Sequence, residues 1–408
     1  MSKRRGNSMN DHMDLDSLSD ISRLHSIDQQ QQNDRTKLSQ PISDEPEQEQ
    51  DTRPPNLTIL QRFITNWLIM DPVLLEKYQH TKTPRRNYQV QKSEDLIYIY
   101  LFGGRFRTIK AKPISLLTGL VIFAGGILFW VFEASWLWHH ISPSLVITFT
   151  YLWLLTAMFY IKSCTSDPGI VPRNLHLPKT IQDGKIKNPP DEYFNTVSLP
   201  YKVKGEKVQV KYCSTCHIWR PPKTSHCGVC EVCILNHDHH CIYLNNCIGE
   251  RNYKYFLWFL LFSTSSCVYM MILTMIHLCH YRLVANSEIH DFATSVVRYP
   301  ASLFLFIYSF IAWIYPMGLL GFHTFLTGKN ITTREYLNYV YKKNKKTNPF
   351  VNVFTSHSIL KNLYINWLGK SSGVALVRPR DKYTPGDIRF EAIAPLDIYS
   401  SEISLEDL

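Results

Sequence analysis

The sequence predicts a mainly α-helical, polytopic membrane protein with four transmembrane helices and a cytosolic cysteine-rich domain between helices 2 and 3. Three observations carry this. Four stretches of twenty or more residues hold no charged side chain: Pro113 to Phe132, Ser142 to Ile161, Tyr255 to Ile276 and Pro300 to Phe322. Lys and Arg gather on one side of these stretches. Seven of the ten cysteines fall between Cys213 and Cys247. Each uncharged stretch can cross about 30 Å of hydrocarbon. Each is also apolar all round, whereas a buried helix of a soluble protein would carry a polar face at helical spacing.

Residues 1–56 are rich in Gln, Asp, Ser and Glu and include the run Gln29 to Gln32. They hold too few large apolar groups to repay ordering, so a disordered cytosolic tail is expected. No apolar run there is long enough for the centre of a signal peptide, which leaves the first span to act as the signal. From 57 to 112 apolar and aromatic residues return, and Gly103-Gly104 marks a turn within Leu101 to Arg107. This segment is expected to pack at the membrane surface.

Residues 113–161 carry the first two spans. Arg105, Arg107, Lys110 and Lys112 precede span one, while the loop expected from Glu133 to Ile141 has no Lys or Arg. That asymmetry places the N-terminus in the cytosol. Residues 162–254 then form a cytosolic domain, 255–327 carry spans three and four, and 328–408 form a cytosolic C-terminal region. The last of these opens with Lys329, Arg334, Lys342, Lys343, Lys345 and Lys346, as an even number of crossings requires. The net charge of +10 is thus read as anchors flanking the bilayer, assisted by anionic lipid, and no nucleic-acid site is expected. No charge lies inside the uncharged stretches, which argues against an ion channel or a proton-coupled transporter. Gly119, Gly125 and Gly126 allow close approach between helices, either for packing or to leave an apolar slot. Cys164 reads as an ordinary juxtamembrane cysteine, Cys267 and Cys279 as packing residues.

The cysteine-rich run reads Cys213-x2-Cys216, His226-Cys227-x2-Cys230-x2-Cys233, Asp238-His239-His240-Cys241 and then Cys247. A reducing compartment disfavours disulfides. Paired CxxC steps with nearby His are the spacing of tetrahedral zinc sites, and so much of the folding energy of this apolar-poor stretch would come from metal. Two four-coordinate zinc ions need eight ligands, while seven Cys and five His are on offer. If every thiolate is a ligand, the module is a closed structural finger. If two His take ligand places, one Cys stays free beside two cations and a His, conditions that make a thiol nucleophilic. Spacing does not choose between these.

Asp238-His239-His240-Cys241, set in a Cys-rich domain between spans two and three, resembles the signature of the DHHC protein S-acyltransferases. Asp167-Pro168-Gly169 after span two and Thr332-Thr333-Arg334-Glu335 after span four resemble two further motifs of that family, in the same order. The resemblance runs from about Tyr88 to Asn362. It implies two interleaved structural zinc ions, one held by Cys213, Cys216, His226 and Cys233, the other by Cys227, Cys230, His240 and Cys247. Cys241 is then the free nucleophile, attacking palmitoyl-CoA and passing the acyl chain to a substrate thiol. His239 is implied as its base, with Asp238 orienting the imidazole. His217 and His237 match nothing and read as surface histidines.

Two departures stand out. Ile242-Tyr243 replaces the family's Pro-Trp, which removes no reacting group. Asn348-Pro349-Phe350 and Asn362 match the family's C-terminal motif only in part. Arg86-Asn87-Tyr88, Phe102-Gly103-Gly104-Arg105 and Lys112-Pro113 resemble the Ras palmitoyltransferase branch found in fungi. That implies an enzyme of the endoplasmic reticulum, with the Golgi as the alternative, acting with a small accessory subunit on membrane-proximal cysteines of lipidated Ras. The competing function class is a non-catalytic zinc-containing membrane scaffold. An intact Asp-His-His-Cys with a spare thiol favours the enzyme.

Overall fold

The computed structural model describes residues 98–110, 114–176, 198–203, 206–282, 289–341, 352–370 and 378–384, with positions 59, 63, 68–70, 86–90, 387 and 389. The tail expected over 1–56 and the basic run Lys342 to Lys346 lie outside the described residues.

Four helices are long and apolar enough to cross a membrane: Ile114–His140, Pro143–Thr165, Tyr253–Arg282 and Pro300–Lys329. Span three packs along both span two and span four. The outward faces show large apolar side chains such as Leu116, Leu120, Phe304 and Ile311, as lipid contact requires. Span two starts where Ser142 accepts a hydrogen bond from the Ser144 N–H, with Pro143 in the first turn, where its missing N–H costs nothing. Span four stops at Asn330, whose φ of 52° turns the backbone left-handed. The glycines of span one serve close packing. A Cβ on Gly126 would meet the Trp153 ring at 2.0 Å, and one on Gly125 would meet Tyr308 at 2.8 Å.

Span one outruns the sequence expectation. The segment read as a loop from Glu133 onward stays helical to His140, passing through a five-residue π-helical turn at Trp130–Ala134. The bundle interior therefore does hold a carboxylate. Glu133 is fully buried, and its Oε2 lies 2.8 Å from Nδ1 of His277 on span three. Trp136 stacks on that imidazole at 3.7 Å, and Ser302 of span four reaches it at 3.1 Å. A buried polar group is tolerated where it gains partners; reading for uncharged runs ended the span at Phe132, eight residues short of His140, because the partner of Glu133 lies 144 residues away.

On the other side of the bundle, strand β1 (Ile69–Met70) pairs with β2 (Tyr98–Leu101), and β2 with β3 (Phe106–Ile109). The turn expected at Gly103-Gly104 is present, with Phe102, Gly103 and Gly104 all at positive φ. Strands β4 (Ser198–Val203), β5 (Glu206–Cys213) and β6 (Ile218–Trp219) form a second antiparallel sheet. Two short hairpins complete the module, β7 (Ser225–Cys227) with β8 (Val232–Ile234) and β9 (His239–Cys241) with β10 (Asn246–Ile248). Asparagines sew it to the membrane end. Asn245 donates to the Ile109 carbonyl at 2.7 Å, and Asn246 donates to Ser163 and Ser166 at the end of span two.

Candidate active site and metal centres

Successive residues of a strand point to opposite sides, and that period separates two clusters. His226 faces Cys233 across β7 and β8, while the next residue, Cys227, turns the other way. In the neighbouring hairpin His240 faces Cys247. The steps Cys213-x2-Cys216 and Cys227-x2-Cys230 each close a tight turn, and the residue after the second cysteine, His217 or Glu231, takes φ of 50°. The result is one quartet of Cys213, Cys216, His226 and Cys233 and another of Cys227, Cys230, His240 and Cys247, each with its donor atoms within 4.8 Å of one another. His226 Nδ1 lies 3.6, 3.4 and 3.9 Å from the sulfurs of Cys213, Cys216 and Cys233. His240 Nδ1 lies 3.8, 3.4 and 3.4 Å from Cys227, Cys230 and Cys247. These are closed four-donor sets suited to a metal ion.

Cys241 belongs to neither quartet. It sits one step past His240 on β9 and so shares a face with His239. His239 Nδ1 lies 2.6 Å from Asp238 Oδ2, and its ring interacts with the Cys241 thiol. Burial works against the imidazolium, yet the hydrogen bonds to Asp238 and Cys241 and the Asp238 charge outweigh it and lift the pKa to about 10. Burial would likewise raise the Asp238 carboxyl, but the His239 hydrogen bond and charge hold it below the usual range.

Asp238 has a second holder from beyond the fourth span. Thr333 donates its backbone N–H to Oδ1 and its hydroxyl to Oδ2, both at 2.7 Å. Thr333 can do this because it opens the helix Thr333–Tyr341, where the first N–H groups have no partner within the helix and favour a negative charge. That helix start is fixed by a reciprocal cap: Glu335 Oε2 accepts from the Thr332 N–H at 2.8 Å, and Thr332 Oγ1 accepts from the Glu335 N–H at 3.1 Å. Lys223 of the module adds an ion pair to Glu335 at 3.4 Å. The motif after span four thus reaches the His239–Asp238 pair directly.

A cavity of 590 Å³ opens beside His239 and Cys241 and runs between the spans. Leu244, Phe256 and Leu260 line it near the thiol, and Phe149, Trp153 and Met270 line it deeper in the bundle. Phe256 and Met270 are fourteen residues apart on one helix, or about 21 Å at 1.5 Å per residue. An extended chain of sixteen carbons covers about 19 Å, taking the 3.8 Å spanned by three bonds of an extended backbone as the scale.

Two readings of the sequence need correction. His217 and His237 are buried, 9% and 4% exposed, not surface groups: His217 sits in the left-handed turn that closes the first CxxC step, and His237 lies beside Cys227. Two residues at the site carried no sequence signal. His323 of span four lies at the cavity wall 5.9 Å, ring to ring, from His239, and Tyr253 of span three holds its Nδ1 at 3.0 Å. Asn362, matched only in part by its motif, proves to be a buried hub that donates to the Gly328 carbonyl and accepts from Ser356.

A membrane bundle with a chain-length cavity, a thiol at its mouth and a His–Asp pair beside that thiol has the layout of an enzyme that handles lipid chains on cysteine. Residues 206–340 match the family model described as DHHC palmitoyltransferase. The sequence is 51% identical over 350 residues to palmitoyltransferase ERF2 of Debaryomyces hansenii, covering 85% of this chain and 94% of that protein. It is 40% identical to palmitoyltransferase ERF2 of Kluyveromyces lactis, covering 76% and 84% of the two chains, and 39% identical to that of Saccharomyces cerevisiae, covering 73% and 81%. The chain belongs to the DHHC palmitoyltransferase family, and its activity is that of a protein S-palmitoyltransferase.

Proposed function

We propose that Cys241 is the nucleophile of a two-step transfer from palmitoyl-CoA to a protein cysteine. The observation that carries this is the position of one thiol outside both quartets, next to His239 and at the mouth of the cavity. With Nδ1 engaged by Asp238, the imidazole has Nε2 to offer the thiol. The Cys241 sulfur bonds to the thioester carbonyl carbon of the donor while its proton goes to His239. The carbon–sulfur bond to CoA breaks, and the leaving CoA sulfur takes that proton back. In the second step the substrate thiol gives its proton to His239 and attacks the acyl-enzyme, and Cys241 leaves as the thiol. Asp238 stabilises the imidazolium through both steps, and Thr333 holds Asp238.

The two quartets fit zinc. Bonds of about 2.3 Å to sulfur and 2.0 Å to nitrogen at tetrahedral angles put nitrogen about 3.5 Å from each sulfur, and the separations observed are 3.4 to 3.9 Å. Three thiols and an imidazole form a closed set with no place for substrate, so zinc here would hold the hairpins together and leave the chemistry to Cys241, His239 and Asp238.

The cavity argues for a long acyl chain. About fourteen buried methylenes at about 0.8 kcal/mol each contribute on the order of 10 kcal/mol before the costs of leaving a bilayer or micelle. The charge asymmetry around the spans supports a cytosolic position for both termini and the Cys-rich module. The branch-specific motifs Arg86-Asn87-Tyr88 and Phe102-Gly103-Gly104-Arg105 support lipidated Ras proteins as substrates, a small accessory subunit as partner, and the endoplasmic reticulum, or else the Golgi, as location.

Purified protein incubated with labelled palmitoyl-CoA should take up label that neutral hydroxylamine releases. Cys241→Ser should take up none while keeping two zinc ions per chain by elemental analysis. Loss of metal in that variant would make Cys241 a ligand, and unchanged labelling would leave the module a scaffold.

A further inference from the structure

We infer that His323 is a second catalytic histidine, whose Nε2–H donates a hydrogen bond to the thioester oxygen as negative charge develops there. This role rests on the reading of Cys241 as the nucleophile. His323 belongs to span four, is 2% exposed, and lines the acyl cavity together with His239 and Cys241. Its ring centre lies 5.9 Å from that of His239, and the two rings are tilted by 36°. One polar atom each of Asp238, His239 and His323 come within 4.8 Å of one another, yet among the described residues the hydrogen bond made by the His323 ring goes to Tyr253.

The hydrogen bonds of the two histidines set opposite tautomers. In a neutral imidazole one ring nitrogen donates and the other accepts. Nδ1 of His323 lies 3.0 Å from the hydroxyl of Tyr253, a buried residue that opens span three. Among the described residues that hydroxyl has no other partner. If Nδ1 were the donor, the buried hydroxyl hydrogen would lack an acceptor, a costly arrangement. Tyr253 therefore donates, Nδ1 accepts, and the ring proton sits on Nε2. His239 is arranged the other way, because the Asp238 carboxylate accepts from its Nδ1 and leaves Nε2 to take the Cys241 proton. One imidazole is thus a base and the other an electrophile, a part that a neutral imidazole N–H can play. Nε2 of His323 has no hydrogen-bond partner among the described residues, so its N–H is free for a ligand in the cavity. Thr333, which also lines the cavity, already gives both of its donors to Asp238.

Attack by Cys241 makes the carbonyl carbon tetrahedral and moves the carbon–oxygen π pair onto oxygen. That oxygen, one carbon removed from Cys241 Sγ, lies in the space that the thiol and the two rings border. His323 donates to it without giving up its proton. When the tetrahedral centre collapses, the pair re-forms the double bond, and the CoA sulfur leaves with the proton held by His239. The same donor serves the second step, in which the substrate thiol attacks the acyl-enzyme and Cys241 leaves. Phe256 and Phe322 stand edge-on to the His323 ring at 4.9 and 5.5 Å, which keeps water from competing for its N–H. A donor fixed in such a dry site interacts strongly with a developing charge and needs no reorganisation when the charge appears. Tyr253 acts through His323, as a positioning residue.

The test uses the full-length protein in a non-ionic detergent and two reagents for Cys241. Labelled palmitoyl-CoA creates an oxyanion when the thiol attacks; iodoacetamide, attacked at a methylene carbon, creates none. His323→Leu is expected to slow single-turnover acylation by about 10²- to 10³-fold, the usual loss on removing one such donor. The half-saturating palmitoyl-CoA concentration and the rate of alkylation by iodoacetamide should each stay within about threefold of wild type. His239→Ala, by contrast, should slow both reagents. His323→Gln can present an amide N–H near the Nε2 position and should acylate at least about tenfold faster than His323→Leu. Tyr253→Phe releases the His323 tautomer and should slow acylation at least about fivefold, yet cause no further loss when combined with His323→Gln. This variant removes one oxygen atom and serves if His323→Leu fails to fold. Acylation of His323→Leu within about threefold of wild type would overturn the role. So would a Gln variant no faster than Leu, or equal losses with the two reagents, either of which would make His323 a packing residue. Wild-type protein that takes up no acyl label at Cys241, while iodoacetamide still modifies that thiol, would refute the nucleophile reading itself and the role with it.

Discussion

Replacing Asp238 by Asn keeps the size of the side chain and removes its charge. Asp238 is buried and accepts three hydrogen bonds, from His239 Nδ1 at 2.6 Å and from the Thr333 N–H and hydroxyl at 2.7 Å. An amide cannot reproduce that set. The Thr333 N–H needs an oxygen at the Oδ1 position, so the new NH₂ group falls on the His239 side. There it donates to Nδ1 and drives the ring proton to Nε2, the tautomer that points a proton at Cys241 and cannot take one. In wild type the His239 pKa of about 10 lies some 3.5 units above the ordinary 6.5, which corresponds to an upper limit of about 5 kcal/mol shared among Asp238, Cys241 and the opposing burial. Misplacing the tautomer in such a triad costs on the order of 10⁴ in rate, and a loss of about 10³ to 10⁴ in single-turnover self-acylation is expected here. Zinc content should stay at two per chain. Because the group titrates above that range, the fraction of His239 free to take a proton grows about tenfold per pH unit, so the wild-type rate should rise between pH 6 and 9 as far as His239 governs it. In the variant burial dominates, the imidazole pKa falls below its ordinary value, and the ring is neutral throughout. An Asp238→Asn enzyme that self-acylates within about threefold of wild type at pH 7 would refute the role given to the pair.

Three further outcomes follow from the geometry. The imidazolium–carboxylate pair carries a raised His239 pKa, so its stabilisation is fully present below pH 6.5 and lost as pH rises through about 10. The difference in melting temperature between wild type and Asp238→Asn should therefore shrink from pH 6.5 to 10, and a difference that grows over that range would contradict the sign. His240→Ala should lose about one zinc per chain and unfold the module, whereas His239→Ala should keep both metals and lose acylation; equal metal loss, measured by elemental analysis, would refute the division of roles. Gly126→Ala places a methyl group 2.0 Å from the Trp153 ring and strains its hydrogen bond to the Ile122 carbonyl, which overpacks the deep end of the cavity at a cost of about 1–3 kcal/mol. Acylation from palmitoyl-CoA should fall at least about fivefold relative to a ten-carbon donor, and an unchanged ratio of the two rates would remove Gly126 from the chain-length boundary.

The primary structure alone determined whatever depends on residues near one another along the chain. Hydropathy adds along a run, so four spans were legible from uncharged stretches without any knowledge of their neighbours. A two-residue gap lets both sulfurs of a tight turn face one ion whatever surrounds it, so the metal-type quartets were legible once the family signature had chosen their His members. Only the tertiary structure decided the rest, because the partners lie far apart in sequence. Thr333 reaches Asp238 across 95 residues, and no local pattern could say that the helix after span four begins at that carboxylate. His323 and Tyr253 meet beside His239 only once spans three and four pack together. Glu133 looked like the end of a span because a charge in hydrocarbon is costly, and it is inside the bundle where His277, itself bonded by Ser302, meets its Oε2. Burial of His217 and His237 also escaped the sequence, since a lone histidine has no period from which to read its side. Long-range packing of this kind supplies partners that no local pattern shows, and it set the Asp238 site.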